Sequence, residues 1–207
     1  MPGRSTVRAP SLRVTAAIVL LALLWLAMLT VGTGDSDDDI LRALYVGREP
    51  LLVAVARALT WLGDWRVVIA LSLAASVWLA IARSWRSGLA VLVVTLIGRA
   101  LVSAQKYGIE RMRPGDEAHL VPVSTPSFPS GHSAGAMIVY LTLALVIAGR
   151  GRWKWPAVTA ALLVAAGVGV SRVMLGVHWP TDVVGGWAFG LLWVLLVLPL
   201  AERLAGE

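Results

Sequence analysis

Five stretches of sixteen or more residues carry no charged side chain: Val14–Gly34, Val67–Ala82, Ser133–Ala148, Pro156–Ser171 and Val183–Ala201. A sixth, Ser87–Gln105, is interrupted only by Arg99. A hydrocarbon core about 30 Å thick needs roughly 20 residues of helix. Several runs fall a little short, and flanking Trp and Arg residues extend them through the interface. The expected fold is therefore all-α: a polytopic membrane protein built as a six-transmembrane-helix bundle. Charge content agrees, because 14% Asp, Glu, Lys and Arg is too little to cover a soluble core of this size. The absence of cysteine excludes disulfides, thiolate metal sites and thiol nucleophiles. The net charge of +6 is spread between apolar runs instead of forming a patch, which fits topological charge and not nucleic-acid binding.

Residues 35–66 do not read as a seventh span. Asp35, Asp37, Asp38 and Asp39 suit a helix start, where carboxylates meet the positive end of the helix dipole. After Pro50, the apolar residues Leu51, Val55, Ala58 and Leu62 recur at helical spacing with Arg57 and Asp64 among them. That pattern predicts an interfacial helix between the first two spans, with a short re-entrant segment as the alternative.

Six spans with the N-terminus inside put Arg4, Arg8, Arg13, Arg83, Arg86, Arg150, Arg152, Lys154 and Arg203 on one side, with only Glu202 and Glu207 as acids. Lys and Arg in short loops hold those loops in the cytoplasm, so both termini are expected there, in the plasma membrane. The first span reads as a signal anchor, because its apolar run exceeds a usual signal-peptide core and no small-residue cleavage site follows. The layout is then one membrane-embedded domain over 1–207. It comprises a tail and anchor span over 1–34, an outer interfacial segment over 35–66, and five further spans over 67–201.

This topology brings two segments, 105–132 and 172–182, to the outer face. They hold nearly all the residues that look chemical. Lys106, Arg113 and Arg172 are three cations without a matching number of acids, and a guanidinium fork with an ammonium suits a tetrahedral oxyanion. Ser130-Gly131 leads into the fourth span as an N-cap followed by free backbone N–H groups, a ready anion site. The implied ligand is phosphate. His178 and Asp182 lie four apart at the start of the sixth span. An aspartate that accepts from Nδ1–H fixes the tautomer and leaves Nε2 free as a nucleophile or base. His132, in the other segment, is available as general acid to the leaving oxygen. Nucleophile, orienter, acid and cationic cradle make a complete hydrolytic set, and the cations can stabilise the phosphoryl charge without a metal or other cofactor.

These residues resemble the tripartite signature of the type 2 phosphatidic acid phosphatase (PAP2) family. The three parts are Lys106 with Arg113-Pro114, Pro129-Ser130-Gly131-His132, and Ser171-Arg172 with His178 and Asp182. The resemblance spans roughly the third to sixth helices. It implies that His178 is the nucleophile forming a phosphohistidine, Asp182 its partner, and His132 the acid and then the base for water. Lys106, Arg113, Ser130, Gly131 and Arg172 would hold the phosphate.

Taken singly, each residue has a plainer explanation: span-end arginines snorkel, and Ser-Gly caps helices. A metal site of His119, His132, His178 and Asp116 matches no usual ligand spacing, and the nearby cations would repel the ion. Arg99 lies seven positions before Lys106, on nearly the same helical face but deeper, and lines the base of the pocket or pairs with a carboxylate. Gly131-Gly135 and Gly186-Gly190 have the small-xxx-small form of helix packing. Trp179 is a candidate substrate contact, and Glu110 and His119 candidate shapers of access. The expected partner is a lipid phosphate or diphosphate: polyprenyl diphosphate, phosphatidylglycerophosphate or phosphatidate. The same residues would serve a phosphotransferase, whereas a pure head-group binder has no use for His178 held by Asp182.

Overall fold

The computed structural model describes residues 11–149 and 151–205. Arg4, Arg8, Arg150 and Glu207 of the charge asymmetry lie outside the described residues, as do the side chains of Glu202 and Arg203. Among the described residues the regular structure is entirely helical: α1 (Leu12–Val31), α2 (Asp35–Leu44), α3 (Pro50–Leu62), α4 (Trp65–Ala82), α5 (Trp85–Ile109), α6 (Gly131–Ala148), α7 (Lys154–Met174) and α8 (Pro180–Ala205). Six of them, α1 and α4 to α8, are long and apolar enough to cross a membrane. This is the six-span bundle expected from the uncharged runs, and the protein is a multi-pass membrane protein.

α6 is the central element, packed on α5, α7 and α8, and most of its residues are buried. Val91 and Val94 of α5, Ile138 of α6, Val168 of α7 and Val194 of α8 meet in a close-packed core. Glycines let α8 approach α6. A β-carbon on Gly186 would stand 2.8 Å from the Ser130 carbonyl oxygen, and one on Gly190 would stand 2.7 Å from Cβ of Met137. Gly186-Gly190 is thus a packing pair, as its spacing predicts. At the opposite end of the bundle Arg83 donates to the Val146 and Ile147 carbonyls at 2.7 and 3.1 Å, satisfying the last turn of α6.

α1 has no buried residue and packs against α8, so its surface is left to lipid. The short helices follow it. Three aspartates occupy the first turn of α2, where the dipole favours them. Pro50 opens α3, a position where its missing N–H costs nothing. α3 is too short to cross a bilayer. It packs along the end of α7 nearest the site, with Leu59 against Gly167 and Thr60 against Arg172. Asp64 then accepts from the Arg66 N–H at 2.9 Å and caps α4.

Candidate active site

Local chain chemistry brings the two predicted segments together at one end of the bundle. Glu110 closes α5 in the left-handed region (φ 53°) and turns the chain out of the helix just after Lys106. The loop returns through a cis Phe128-Pro129 bond to Ser130, which caps α6. On the other side Gly176, at φ 71°, makes the turn between α7 and His178, a conformation that glycine adopts without strain. Two backbone bonds tie the loops, Leu120 N–H to the Leu175 carbonyl at 3.1 Å and Ser130 N–H to the Asp182 carbonyl at 2.9 Å.

His178 and Asp182 are almost wholly removed from solvent, at 2% and 0% exposure. Nδ1 of His178 lies 3.2 Å from Oδ2 of Asp182, and Nε2 lies 3.2 Å from Nη1 of Arg113. A guanidinium only donates, so Nε2 is the accepting nitrogen and the proton sits on Nδ1, directed at the carboxylate. This is the tautomer that a nucleophilic Nε2 requires. Burial holds the His178 imidazole well below its ordinary pKa, and the charges of Arg113, Lys106 and Arg172 push it the same way. Arg113 itself is lowered by burial, with Asp182 opposing, and remains a cation at neutral pH.

A cavity of about 570 Å³ opens in front of this pair. His178, His132, Lys106, Arg113, Gly131 and Arg172 all line it, so six of the eight predicted site residues share one space. Lys106 spends two donors on the Pro126 and Ser127 carbonyls, at 2.6 and 3.1 Å, and an ammonium has a third. Arg172 donates to Oγ1 of Thr60 at 2.6 Å, while its buried Nε has no partner. A buried cationic donor without a partner, beside an open cavity, has the chemistry to bind an oxyanion. The His132 ring makes no hydrogen bond to any described residue and borders the same space.

The other two predicted residues stand behind the wall. Asp182 holds His178, as expected. Ser130 is fully buried, and its hydroxyl oxygen accepts from the Ser133 hydroxyl at 2.8 Å, so it shapes the helix start without facing the cavity. Trp179 also turns away. Its indole donates to the Met112 carbonyl at 3.0 Å, and it is not part of the lining. His119 is bonded to the Pro114 carbonyl at 2.8 Å and Asp116 is paired with Arg42 at 3.5 Å, both apart from the cavity. Gly131-Gly135, unlike the α8 pair, faces the cavity.

Three further residues complete the site. Arg111 donates to Oδ1 of Asp182 at 3.0 Å and, through its other nitrogen, to the carbonyls of Met28 and Leu29 in α1. Its guanidinium lies 4.3 Å over the Phe128 ring. Ser127 donates to Oδ2 of Asp182. Asp37 accepts from the Thr181 N–H at 3.0 Å and from the Thr181 hydroxyl at 2.5 Å, fixing the first turn of α8. No motif spacing marks these residues; a second arginine two positions from Arg113 is the single local hint.

Six membrane-crossing helices with this cavity at one end define a polytopic membrane phosphatase. A sequence model of the PAP2 superfamily matches residues 87–205, and the chain belongs to that superfamily. It is similar to phosphatidylglycerophosphatase B of Bacillus subtilis (strain 168), with 36% identity over 182 residues, covering 86% of this chain and 89% of the relative. An undecaprenyl-diphosphatase of Sulfolobus acidocaldarius is 32% identical over 117 residues, about half of each chain (52% of both). Among solved structures, the transmembrane PAP2-type phosphatidylglycerolphosphate phosphatase from Bacillus subtilis superposes with a TM-score of 0.83. It is 35% identical, over 90% of this chain and 96% of that one.

Proposed function

We propose that this chain hydrolyses a lipid phosphate or diphosphate through a phosphohistidine on His178, at the outer face of the plasma membrane. In this reading one domain spans 1–207, with both termini cytoplasmic. The observation that carries the reading is the position of the His178 ring, with Nδ1 on Asp182 and Nε2 on Arg113. Asp182 accepts a hydrogen bond from Nδ1–H, and Nε2 presents its lone pair beside a cavity lined by Lys106, Arg113 and Arg172.

The chemistry follows from these positions. An arriving phosphate takes over the Arg113 N–H that rests on Nε2 and accepts from the free donors of Lys106 and Arg172. The backbone N–H groups at the start of α6 add to this cradle. Nε2 then attacks phosphorus while the bond to the lipid oxygen breaks, and His132 gives that oxygen its proton. Asp182 stabilises the positive charge that develops on the ring. In the second half His132 takes a proton from water, the hydroxide oxygen attacks phosphorus, and the N–P bond breaks to release orthophosphate. Charge on the phosphoryl oxygens is met throughout by preorganised cations, the largest single source of rate in such sites.

The substrate candidates are phosphatidylglycerophosphate, polyprenyl diphosphate and phosphatidate. Their phosphates would enter the cavity while the tails stay among the helices. The relatives named for phosphatidylglycerophosphate cover nearly the whole chain, which favours that lipid. The test is phosphate release by purified protein in detergent against these three lipids, with His178→Ala as control. Turnover of one lipid that disappears in the variant supports the reading; full activity in His178→Ala sinks the mechanism.

A further inference from the structure

We infer that Arg99 is a specificity-determining residue that holds a second, untransferred phosphoryl group of the substrate. This rests on the phosphatase reading above and narrows it to lipids bearing two phosphates in series.

Arg99 is the charge that the transfer chemistry leaves unused. It sits within α5, a membrane-crossing helix, seven residues or about 10 Å along the axis from Lys106. An ionised side chain at such a depth normally faces a partner or a polar cavity. Arg99 makes no hydrogen bond or ion pair to any described residue. It does line the same cavity as His132 and Arg172. Asp64 also borders that cavity, but its carboxylate caps α4 through the Arg66 N–H and forms no ion pair with Arg99 within 4.0 Å.

The glycines of α6 fix where the guanidinium stands. A β-carbon on Gly131 would meet Cε of Lys106 at 3.4 Å, and one on Gly135 would meet Nη1 of Arg99 at 3.6 Å. The two side chains therefore pass over successive turns of one face of α6, at glycines about 6 Å apart along its axis. Two phosphoryl groups joined by a single oxygen or by a glycerol can bridge that step. The order also suits a lipid: the terminal phosphate sits against His178 at the loop end of the cavity, the second lies one turn along α6 at Arg99, and the tails continue toward the middle of the spans. A monophosphate lipid would leave Arg99 opposed only by the charge of Asp64, beyond ion-pair distance.

The experiment compares kcat/KM for matched pairs with common tails, phosphatidylglycerophosphate against phosphatidate and polyprenyl diphosphate against polyprenyl monophosphate, in the wild type, Arg99→Met and Arg99→Lys. Loss of one charge-assisted contact predicts that the two-phosphate to one-phosphate ratio falls about 10- to 100-fold in Arg99→Met. Arg99→Lys should keep part of that preference. Where the wild type accepts no monophosphate lipid, the ratio of inhibition by inorganic diphosphate to that by orthophosphate replaces it and should fall likewise. A ratio unchanged in Arg99→Met overturns the inference while leaving the phosphatase reading intact. A wild type silent on every lipid overturns both. Residual turnover of either lipid, or retained inhibition by orthophosphate, shows that the variant is folded.

Discussion

Arg111 and Asp182 form a buried ion pair, with Nη1 3.0 Å from Oδ1, on the carboxylate oxygen that His178 does not use. The second oxygen, Oδ2, receives the His178 imidazole, the Ser127 hydroxyl and the Trp179 N–H. The carboxylate is thus held from both sides. Removing one partner of a buried pair is costly because the other charge stays behind, at about 3–5 kcal/mol. Arg111→Met should therefore lower kcat by about 100-fold or more with little change in KM, since the arginine touches Asp182 and not the cavity. Arg111→Lys should recover part of kcat. Equal effects on kcat and KM, or none, would show that Arg111 does not position the pair.

A pH dependence follows from the burial of His178. Its imidazole titrates well below the ordinary value of about 6.5, first because of desolvation and then because Arg113 and Lys106 repel a second positive charge. Below about 6.5 the unfolded chain therefore binds a proton that the folded chain does not. The stabilisation from the neutral ring is present above that pH and is lost as pH falls toward the folded value. Thermal unfolding in detergent should show a midpoint that declines from about pH 6.5 downward, with a shallower decline in His178→Ala. Identical slopes in the two proteins would assign the acid sensitivity elsewhere. Because Nε2 keeps its lone pair, the limb of kcat/KM that belongs to His178 should also lie below about 6.5.

The cations provide a third test. Lys106, Arg113 and Arg172 line the cavity in front of His178, and Arg172 has a buried Nε without a partner. Phosphate release should proceed in EDTA at the rate seen without it, because the opposing charge is built into the chain. A strong loss in chelator, restored by a divalent cation, would require a different mechanism.

Packing supplies a fourth. A β-carbon at Gly186 would press on the Ser130 carbonyl and would also stand 3.1 Å from Cβ of Ser133. Gly186→Val should push α8 off the start of α6, lowering stability by about 1–3 kcal/mol and disturbing the turn that carries Gly131 and His132. A lowered unfolding temperature with reduced activity is expected. An unaltered protein would mean that the helices separate there at no cost.

Much of this is legible in the chain because the relevant forces are local or compositional. Uncharged runs announce spans, and Ser130, Gly131 and His132 mark a helix start wherever they fall. The supporting residues are not legible, because their partners lie far off in sequence. Arg111 finds Met28 and Leu29, and Thr181 finds Asp37, through tertiary packing that no spacing records. The aspartate run at 35–39 reads as a helix start, which it is, yet Asp37 within it is buried and serves α8. Trp179 departs from expectation for a related reason. Adjacency to His178 in sequence places its backbone at the site, but the ring is directed to Met112.

The grip of Arg111 on the end of α1 has a consequence for biogenesis. Met28 and Leu29 belong to α1 while Asp182 belongs to α8, more than 150 residues further along, and one guanidinium joins them. The contacts that hold Asp182 are therefore complete only once α8 is packed beside α1. A chain in which α8 had not yet packed on α1 would leave the Asp182 carboxylate without its Arg111 anchor across the bundle. Assembly of the bundle and ordering of the carboxylate are thus one event, not two.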